Sequence, residues 1–564
     1  MRRILFYVHF NRYDQLSDHV VYQLTEMKQL FEKIVLISNS KLSEASLSKL
    51  PYDIFIQREN VGYDFSAWAE GIESIGFNNL GDFDSATFMN DTCFGPLYDI
   101  STYYEKYENN GTNFWGITNH RKTGKIAEHI QSYYIVYHKS ILKSEGFKSF
   151  WKNVEVFSDV HSVIEHYETS LTSKLIREGY TYQTILDTRD LPTVGMLHPD
   201  FSFWNPSIIV QERVPFIKVK AIQAFKDMTP LILNVLEKNA NYPVEHIFDH
   251  MSRFVERPDE KYLLTSSYLD LTETNTKFNC TIAIHLHAFY TDLLPEFFEI
   301  FETYKFNFNL FITTDIYEKK IEIEQYLQSF NIPAKIFVTG NVGRDVLPML
   351  KLKDKLSKYE IIGHFHTKKS KEADYLVGES WRKELIDMLV RPAEQIISQF
   401  SNDKLGIVIA DVPTFFRYNE IVNANNEAHI APVLNDLWDR MELRKEIDFC
   451  QMETFVMSYG TFGWFRYDAL HQLFDLELTE SDVPTEPLPQ NSILHAIERG
   501  LIYISWNNFY DFKISPNVNR LTPFIDIKTL NHRNNGQLNW DNLGGKRAVK
   551  YLIKKILIKL KVIR

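Results

Sequence analysis

Three features are scarce in this sequence: cysteine, long apolar runs and positive charge. The cysteines Cys93, Cys280 and Cys450 lie far apart and form neither a zinc-ligand spacing nor a disulfide framework, so we expect a reducing compartment. No run of about 20 consecutive apolar residues is present, so no segment is expected to span a membrane. The formal net charge of −11 is unlike that of a nucleic-acid-binding protein, and we expect no nucleic acid partner.

The amino-terminal residues show no secretion signal. Two arginines precede an apolar run, but this run ends at His9 and is too short for a signal peptide. We predict that it forms the first buried strand of the fold, and that the protein is cytoplasmic.

The composition that is present is that of a globular protein. Hydrophobic residues make up 44% and charged residues 24% of the 564 positions. This length predicts two large domains or about three smaller ones. Aromatic residues reach 14%. They suit an aromatic-rich core, and they also suit sugar binding, because the apolar face of a pyranose lies well on an aromatic ring.

The second half of the chain repeats the pattern of the first. In each half an apolar strand ends in a histidine, His9 or His287, and an aspartate follows five residues later, Asp14 or Asp292. A helix and a second strand come next in both halves. We interpret these segments as the start of two similar α/β units.

Three further segments recur in the same order. The sequence Asn-Val-Gly-x-Asp spans residues 60–64 and 341–345, and each copy follows a strand and opens a helix. A strand end comes next, and then a late strand with a similar ending. The recurring pairs are residues 88–92 with 363–367, and residues 133–142 with 461–470.

The shared polar residues fall at the carboxyl ends of predicted parallel strands, where open α/β sheets bind ligands. Asp64 and Asp345 also stand at helix starts, where an aspartate can simply cap the helix. We predict that a donor molecule is bound in the first half by His9, Asn60, Gly62, Asp64 and Asn90, and in the second half by His287, Asn341, Gly343, Arg344, Asp345 and His364.

Residues 90–92, Asn-Asp-Thr, resemble the short acidic motif that holds a metal diphosphate in GT-A glycosyltransferases, although Asp91 is its only acid. Asp91 is therefore the predicted ligand of a divalent cation, with Mg²⁺ and Mn²⁺ as candidates. In the second half, His364 and His366 point to one side of a strand and suit a metal. Lys368 and Lys369 suit phosphate, or they form a solvated basic loop.

A sugar transferase also needs a general base for the acceptor hydroxyl. We predict Glu168 and Glu486 as the bases, with Asp91 and His366 as further catalytic residues; a solvated surface acid is the alternative for each glutamate. Arg382 either binds phosphate or is a charge on a helix surface.

As a set, these motifs resemble the rhamnan synthesis protein F family. The resemblance rests in the second half on residues 341–345, 364–369, 381–385, 460–466 and 495–499. In the first half it rests on residues 60–68 and 90–96. It extends over about residues 2–530. Each motif is weak alone, but together they are specific.

The repeated strand–helix pattern and the short acidic motif predict two tandem GT-A-like, Rossmann-like α/β domains, which we place at residues 1–235 and 275–530, with a connector at 236–274 and a tail at 531–564. The family resemblance implies a rhamnosyltransferase that uses dTDP-β-L-rhamnose and extends a lipid-linked polysaccharide acceptor with α linkages. Such a reaction inverts the anomeric centre. The two halves then make two different linkages, or one is catalytic and the other holds the chain.

Residues 546–564 combine apolar residues at helical spacing with basic residues and no acid. This pattern is typical of an amphipathic helix lying on an anionic membrane, here the inner face of the bacterial plasma membrane. A helix docked on the protein's own acidic body has the same pattern. The predicted membrane contacts are Lys546, Arg547, Lys550, Leu552, Ile553, Lys554, Lys555, Ile556 and Lys559.

Two other functions fit the same motifs. One is a transferase of another nucleotide sugar. The other is a non-catalytic, membrane-bound scaffold or glycan-binding partner within a polysaccharide assembly complex, whose transferases are expected partners in either case. The missing second acid beside Asp91 favours the scaffold for at least one half.

Overall fold

The fold was analysed in a computed structural model. It describes residues 1–124, 126–194, 196–226, 228–258, 267–271, 279–330, 332–367, 369, 375–414, 416, 429–452, 455–489 and 491–517, together with Val549, Ile553, Ile556, Leu557 and Leu560. The chain divides into two compact units, Met1–Glu256 and Arg257–Arg564. The first unit thus includes residues 236–256, which the sequence analysis places in the connector.

The first unit is built on a mostly parallel sheet. Its strands are β1 (Arg3–His9), β2 (Lys33–Ser38), β3 (Ile54–Gln57), β4 (Ser85–Asn90), β5 (Cys93–Phe94), β6 (Phe114–His120), β7 (His129–Ile130), β8 (Tyr134–His138), β9 (Tyr182–Leu186) and β10 (Ile217–Lys218). The sheet order is β3-β2-β1-β4-β8-β6, with β7 and β9 also paired to β6. β8 is antiparallel to both of its neighbours, and β5 pairs separately with β10.

Helices follow most strands of this unit. They span Asp18–Met27, Glu44–Leu47, Tyr63–Ile75, Phe77–Leu80, Ser101–Asn109, Lys139–Leu142, Glu145–Lys152, Val160–Val163, Thr169–Arg177, Phe201–Trp204, Pro206–Gln211, Val219–Ala224, Thr229–Asn239 and Glu245–His250. Wider π-helical turns occupy Ile164–Glu168 and Met251–Val255, and a 3₁₀ turn occupies Lys28–Leu30.

Both faces of β1 are covered, which explains why its apolar run is nearly continuous. On one face Phe6 stacks on Phe88 with ring centroids 5.0 Å apart, and Trp151 stacks on Phe88 at 5.2 Å. On the other face the Tyr7 hydroxyl donates to Gln23 Oε1 at 2.6 Å. Successive residues of a strand point to opposite faces, so one strand supports both layers.

The second unit has a sheet of the same kind. Its strands are β11 (Ile282–His287), β12 (Asn309–Thr314), β13 (Ala334–Val338), β14 (Ile361–His366), β15 (Leu405–Ala410), β16 (Gly463–Arg466) and β17 (Asp511–Ser515). The order is β13-β12-β11-β14-β16-β15-β17, and β16 is antiparallel to β14 and β15. Its core includes Trp464, which packs on Phe365 and donates from Nε1 to the Leu389 carbonyl at 2.8 Å.

The helices of the second unit span Leu294–Phe301, Tyr317–Gln328, Val346–Leu350, Lys353–Leu356, Tyr375–Leu385, Ala393–Gln399, Ala431–Arg440, His471–Asp475 and Ile493–Asn507. A π-helical turn occupies Ile386–Val390, and 3₁₀ turns occupy Thr291–Leu293, Phe449–Gln451, Tyr459–Thr461, Tyr467–Ala469 and Glu480–Asp482.

The two sheets have one strand order. In the first sheet we number β1, β2, β3, β4, β6, β8 and β9 from one to seven in chain order, and in the second sheet we number β11 to β17 in the same way. Both sheets then have the strand order 3-2-1-4-6-5-7. The sixth strand is the antiparallel one in both. This confirms the predicted fold class, α/β with two tandem GT-A-like, Rossmann-like sheets.

The predicted C-terminal helix falls largely outside the described residues, including Lys546, Arg547, Lys550, Leu552, Lys554, Lys555 and Lys559. The backbone is helical at Val549, Ile553 and Ile556, and the side chains of these residues are about half exposed or more, with Leu560 at 65%. Within the described ranges, no helix has the length and apolarity needed to cross a membrane.

Candidate active sites

In the first unit, neighbouring strand ends bring polar side chains together. β1 ends at His9 and β4 at Asn90, and these strands are parallel neighbours in the sheet. Asp91 follows β4 directly, and its Oδ2 accepts from the Phe10 N–H at 2.9 Å. His9 Nε2 lies 4.0 Å from the same Asp91 oxygen, and His9 Nδ1 lies 3.1 Å from Ser38 Oγ. The strand register therefore places His9 against Asp91.

Asp64 reaches this cluster from the glycine loop. Gly62 and Tyr63 both have left-handed backbone, with φ of 69° and 51°, and the helix that starts at Tyr63 carries Asp64 in its first turn. Asn90 Nδ2 donates to Asp64 Oδ2 at 2.6 Å, while Asn90 Oδ1 accepts from Thr92 Oγ1 at 2.6 Å. The amide of Asn90 thus links the loop to the end of β4.

Asn60 lies at the exposed start of the same loop. Its Oδ1 accepts from Asn39 Nδ2 at 3.1 Å. Arg58 donates to Asn39 Oδ1 at 3.0 Å and to the Val61 carbonyl at 2.8 Å. These bonds anchor the loop to the end of β2.

Glu168 lies in the π-helical turn Ile164–Glu168 and points at the start of β8. Its Oε1 accepts from the Ser132 N–H at 2.9 Å. The next residue, Tyr133, accepts at its carbonyl from the Asn90 N–H at 3.3 Å. Glu168 is also close enough to Asp64 to raise the pKa of that carboxyl. Glu168, the predicted base, therefore lies close to the end of β4, which the predicted metal ligand Asp91 follows.

Burial governs the charges in this cluster. It raises the pKa of Asp91 to about 7 and that of Asp64 to about 6, because a charged carboxylate is poorly solvated there, and mutual repulsion of the carboxylates adds to the effect. Burial lowers the pKa of His9 to about 4, so this imidazole is neutral at pH 7. A divalent cation would reverse the penalty on the carboxylates. Asp91, Asp64 and Asn90 supply the oxygen ligands that Mg²⁺ and Mn²⁺ prefer.

In the second unit, the corresponding strand ends carry histidines. The register pairs His285 with His364 and His287 with His366 across β11 and β14. His285 Nδ1 and His364 Nδ1 lie 2.8 Å apart, and the two rings are parallel within 1° with centroids 5.0 Å apart. Thr313 Oγ1 lies 2.9 Å from both His285 Nε2 and His287 Nδ1. The four rings are buried within the sheet edge.

Asp345 sets the direction of these hydrogen bonds. Its Oδ2 lies 3.1 Å from His364 Nε2 and accepts from Thr461 Oγ1. If Asp345 is ionised, His364 donates from Nε2, so His364 Nδ1 accepts from His285 Nδ1–H. His285 Nε2 then accepts from the Thr313 hydroxyl, which accepts from His287 Nδ1–H.

This assignment agrees with the electrostatics. Burial by itself raises the pKa of Asp345, but the charges and hydrogen bonds of His366, His364 and Thr461 hold it well below its ordinary value. Burial lowers the pKa of His285 far below its ordinary value and that of His287 to about 4. Both ring nitrogens of His364 are engaged inside the cluster, so His364 orients Asp345 instead of projecting toward a donor.

Arg344 and Glu486 form an exposed ion pair. Arg344 Nε donates to Glu486 Oε1 at 2.9 Å, and Nη2 lies 3.2 Å from Oε2. The guanidinium lowers the pKa of Glu486. Arg344 has φ of 51° and follows Gly343, which has φ of 85°, so the second loop repeats the backbone of the first. Asn341 begins this loop and is exposed.

Three of the remaining predicted residues, Lys369, Arg382 and His366, pair with nearby groups. Lys369 bonds to Asp292, and its ammonium group lies 5.1 Å from the Tyr290 ring centroid. Arg382 Nε donates to Glu296 Oε2 at 3.2 Å, so its guanidinium pairs with a neighbouring helix. Lys368 lies outside the described residues. His366 Nε2 donates to the Gly460 carbonyl at 2.6 Å.

Sequence reasoning missed several residues of the second cluster. Thr313 and Thr461 complete its hydrogen bonds, and Glu498 accepts from the Gly460 N–H. Glu498 belongs to residues 495–499, which the family resemblance uses, so a signal was present. Among the described residues, three ligand-type side chains also meet away from the strand ends: atoms of Asp18, His246 and Asp249 lie within 4.8 Å of one another.

Comparison with known proteins gives partial relatives. WxcX, an uncharacterized protein of Xanthomonas campestris pv. campestris, is 30% identical over 219 residues, which are 38% of this chain and 30% of WxcX. The virulence protein VirA of Vibrio anguillarum is 28% identical over 165 residues, which are 29% of this chain and 50% of VirA. The matched segments therefore span half or less of these relatives.

Among solved structures, the glycosyltransferase GlyE of Streptococcus pneumoniae aligns over 68% of this chain and 90% of its own, with 10% identity and a TM-score of 0.24. The family described as rhamnan synthesis protein F matches residues 34–510, which is most of the chain and confirms the resemblance seen in the motifs. The chain belongs to the rhamnan synthesis protein F family.

Proposed function

We propose that this protein is a glycosyltransferase of polysaccharide synthesis that transfers L-rhamnose from dTDP-β-L-rhamnose to a lipid-linked, growing cell-surface polysaccharide. The name of the family supports the sugar, and the sheet topology supports the reaction class. The observation that carries the proposal is the position of the polar clusters. Each lies where the first and fourth strands of its sheet end, the edge at which open α/β sheets bind ligands.

In the first unit, the geometry suits a single displacement that inverts the donor's anomeric centre. Glu168 takes the proton of the acceptor hydroxyl as its oxygen attacks the sugar. Asp91, Asp64 and Asn90 would hold a divalent cation, Mg²⁺ or Mn²⁺, which would offset the charge of the leaving diphosphate. His9, neutral at pH 7, lies 4.0 Å from the Asp91 carboxylate.

In the second unit, cationic and histidine side chains take the place of the acidic pair. Arg344 follows β13 and Lys369 follows β14, and we propose that both meet the donor's phosphates together with Lys368. Asp345 is held ionised among the histidines, and His366 lies at the end of β14. The two units then use different means of stabilising the leaving group.

The tail brings the enzyme to its acceptor. Val549, Ile553, Ile556 and Leu560 fall on one helical face and are exposed. Four lysines, Lys550, Lys554, Lys555 and Lys559, stand between them in the sequence. We propose that this face lies in the inner leaflet surface of the bacterial plasma membrane. Other polysaccharide-assembly transferases are proposed to act on the same acceptor.

A second candidate is a scaffold or glycan-binding partner, and one observation favours it for the second unit: β14 ends in His366 where β4 is followed by Asp91. A transferase of another nucleotide sugar is the third candidate. Substituting Asp91 and Glu168 together, and in a separate strain His366, separates enzyme from scaffold. An enzyme loses surface polysaccharide in at least one strain while protein levels stay normal, whereas a scaffold keeps polysaccharide in both.

A further inference from the structure

The two sheets can be matched residue by residue through their strand registers. In the first unit the register pairs Met89 with Tyr134, and in the second it pairs His364 with Gly463. Because His9 corresponds to His287 and Asp91 to His366, Tyr134 corresponds to Gly463. Counting back along each chain, Ser132 corresponds to Thr461.

In both units a glutamate hydrogen-bonds to the backbone just before this sixth strand. Glu168 Oε1 accepts from the Ser132 N–H at 2.9 Å. Glu498 Oε1 accepts from the N–H of Gly460, the residue before Thr461. Both glutamates belong to the helical segment that follows the sixth strand: Glu168 lies 30 residues after His138, and Glu498 lies 32 residues after Arg466.

The surrounding sequence repeats as well. Residues 162–171 and 492–501 share a serine, a glutamate six positions later and a leucine three positions after that, with apolar residues following each serine. The leucines, Leu171 and Leu501, are both buried. The glutamates are therefore presented at one helical register, toward the same place on each sheet.

Gly460 connects Glu498 to the second cluster. Its N–H donates to Glu498, and its carbonyl accepts from His366 Nε2 at 2.6 Å. The Thr461 hydroxyl lies on Asp345 and within 2.6 Å of the same carbonyl. Gly460 and Thr461 thus link Glu498 to His366 and Asp345 through hydrogen bonds. The side chain of Glu498 is 14% exposed. Its Oε2 lies 3.1 Å from Arg499 Nη1, which balances its charge.

Glu486 has a different setting. Its side chain is 52% exposed, and both of its oxygens bind Arg344. The guanidinium lowers the pKa of Glu486. Glu486 pairs with the guanidinium of Arg344, and we assign it as a positioning residue.

We propose that Glu498, and not Glu486, is the general base of the second unit, matching Glu168 in the first. This rests on the proposed transferase function. Glu498 takes the proton of the acceptor hydroxyl while that oxygen bonds to the sugar's anomeric carbon. The bond from that carbon to the donor phosphate breaks, and the nucleoside diphosphate leaves with the electron pair.

The test uses the full chain with Asp91→Asn and Glu168→Gln, so that transfer by the second unit is observed alone. Glu498→Gln is added to this background, because glutamine keeps an acceptor for the Gly460 N–H and preserves the fold. Glu480→Gln, which alters an exposed pair with Lys351, is the matched control. Product from dTDP-rhamnose and a rhamnose-capped lipid acceptor is measured by mass spectrometry, and donor binding by calorimetry.

We expect Glu498→Gln to slow transfer by about 100-fold or more while donor affinity changes less than about threefold, and the control to be unaffected. Transfer within threefold of the background would overturn the assignment, as would a background that makes no product although the wild type does. A wild type that makes no product would instead contradict the proposed function itself. Thermal unfolding of each variant checks the fold.

Discussion

Two carboxylates of the first unit, Asp91 and Asp64, lie in surroundings that penalise their charge. Asp91 is 14% exposed, and Asp64, which raises the pKa of Asp91 further, has a raised pKa as well. Native proteins rarely hold two such groups together without a partner that compensates for their charge. The cluster therefore supports the proposal of a cation site at these carboxylates.

This explanation predicts how Asp91→Asn changes stability with pH. Burial raises the pKa of Asp91 from 3.8 in the unfolded chain to about 7, so its ionisation disfavours the folded state increasingly as pH rises between these values. Asparagine removes that penalty and still accepts from the Phe10 N–H. We expect the variant to be more stable by roughly 2–4 kcal/mol above pH 7 and equal to the wild type below pH 4.

The measurement is urea unfolding from pH 4 to pH 8. A second series with Mg²⁺ or Mn²⁺ should stabilise the wild type at pH 8 but not the variant, because the cation binds the ionised carboxylates. Equal stability of both proteins at all pH values would show that Asp91 is well solvated and contradict the account.

Glu486→Gln tests whether Glu486 positions Arg344 for donor binding or stabilises the fold. The pair with Arg344 is exposed on both sides, 42% and 52%, so we expect the free energy of unfolding to change by less than about 1 kcal/mol. Loss of the fixed guanidinium should instead weaken donor binding, with a several-fold rise in KM and little change in kcat. A fall in kcat comparable to that of Glu498→Gln would contradict this division of roles.

At the scale of elements, the glycine loops are the most demanding local structures. Gly62 has φ of 69°, and a Cβ there would lie 2.0 Å from Ser66 Oγ and 2.6 Å from Ser66 Cβ. Gly111 also has a positive φ, 80°, but a Cβ there would meet open space. The two glycines differ in crowding but not in backbone conformation.

We therefore expect Gly111→Ala to destabilise the protein by about 1 kcal/mol, the cost of left-handed backbone alone. Gly62→Ala should cost roughly 2–4 kcal/mol and also weaken donor binding, because the start of the helix that carries Asp64 must move. Thermal unfolding compares the two variants directly. Equal losses would mean that the loop relaxes freely around Ser66.

These elements also show what the sequence could provide. The strands were predictable because buried parallel strands are continuous apolar runs, and the loops because glycine and aspartate mark a strand-to-helix turn. Glu486 and Glu498 were not separable in the same way. Their roles depend on which residue a helix turns toward the sheet and on an ion pair with Arg344, and neither is a local property of the chain.

The histidines show a similar division. A His-x-His pair on a strand is visible in the sequence, but the partners of His364 lie on another strand and on a loop. Its Nδ1 meets His285 of β11 and its Nε2 meets Asp345 of the glycine loop. Only the sheet order, with β11 beside β14, reveals that His364 serves the cluster. Arg382 likewise could not be assigned to Glu296 without the packing of the two helices.

At the scale of the whole molecule, two units of one strand order carry different polar clusters. The first has carboxylates and an amide, and the second has histidines around one ionised aspartate. Duplicated sheets with diverged edges suit an enzyme that handles two related transfers, or one that transfers in one unit and holds the acceptor in the other.

A further prediction concerns residues 546–564. Deleting residues 546–564 should release the protein from membrane fractions, because it removes the exposed apolar face and the basic residues beside it. Transfer to a short water-soluble acceptor should be unchanged. Flotation with vesicles containing anionic lipid measures the first effect, and continued flotation of the shortened chain would contradict the membrane role.

Product formation by the purified chain is the most direct test of the proposed sugar transfer. Wild-type protein is incubated with dTDP-β-L-rhamnose, a rhamnose-capped lipid acceptor and Mg²⁺ or Mn²⁺, and the acceptor is analysed by mass spectrometry. We expect deoxyhexose residues to be added in α linkage. The part of this product that the first unit makes should be lost with Asp91→Asn or on removal of the metal. No addition from dTDP-rhamnose or from any of a panel of nucleotide sugars would contradict it.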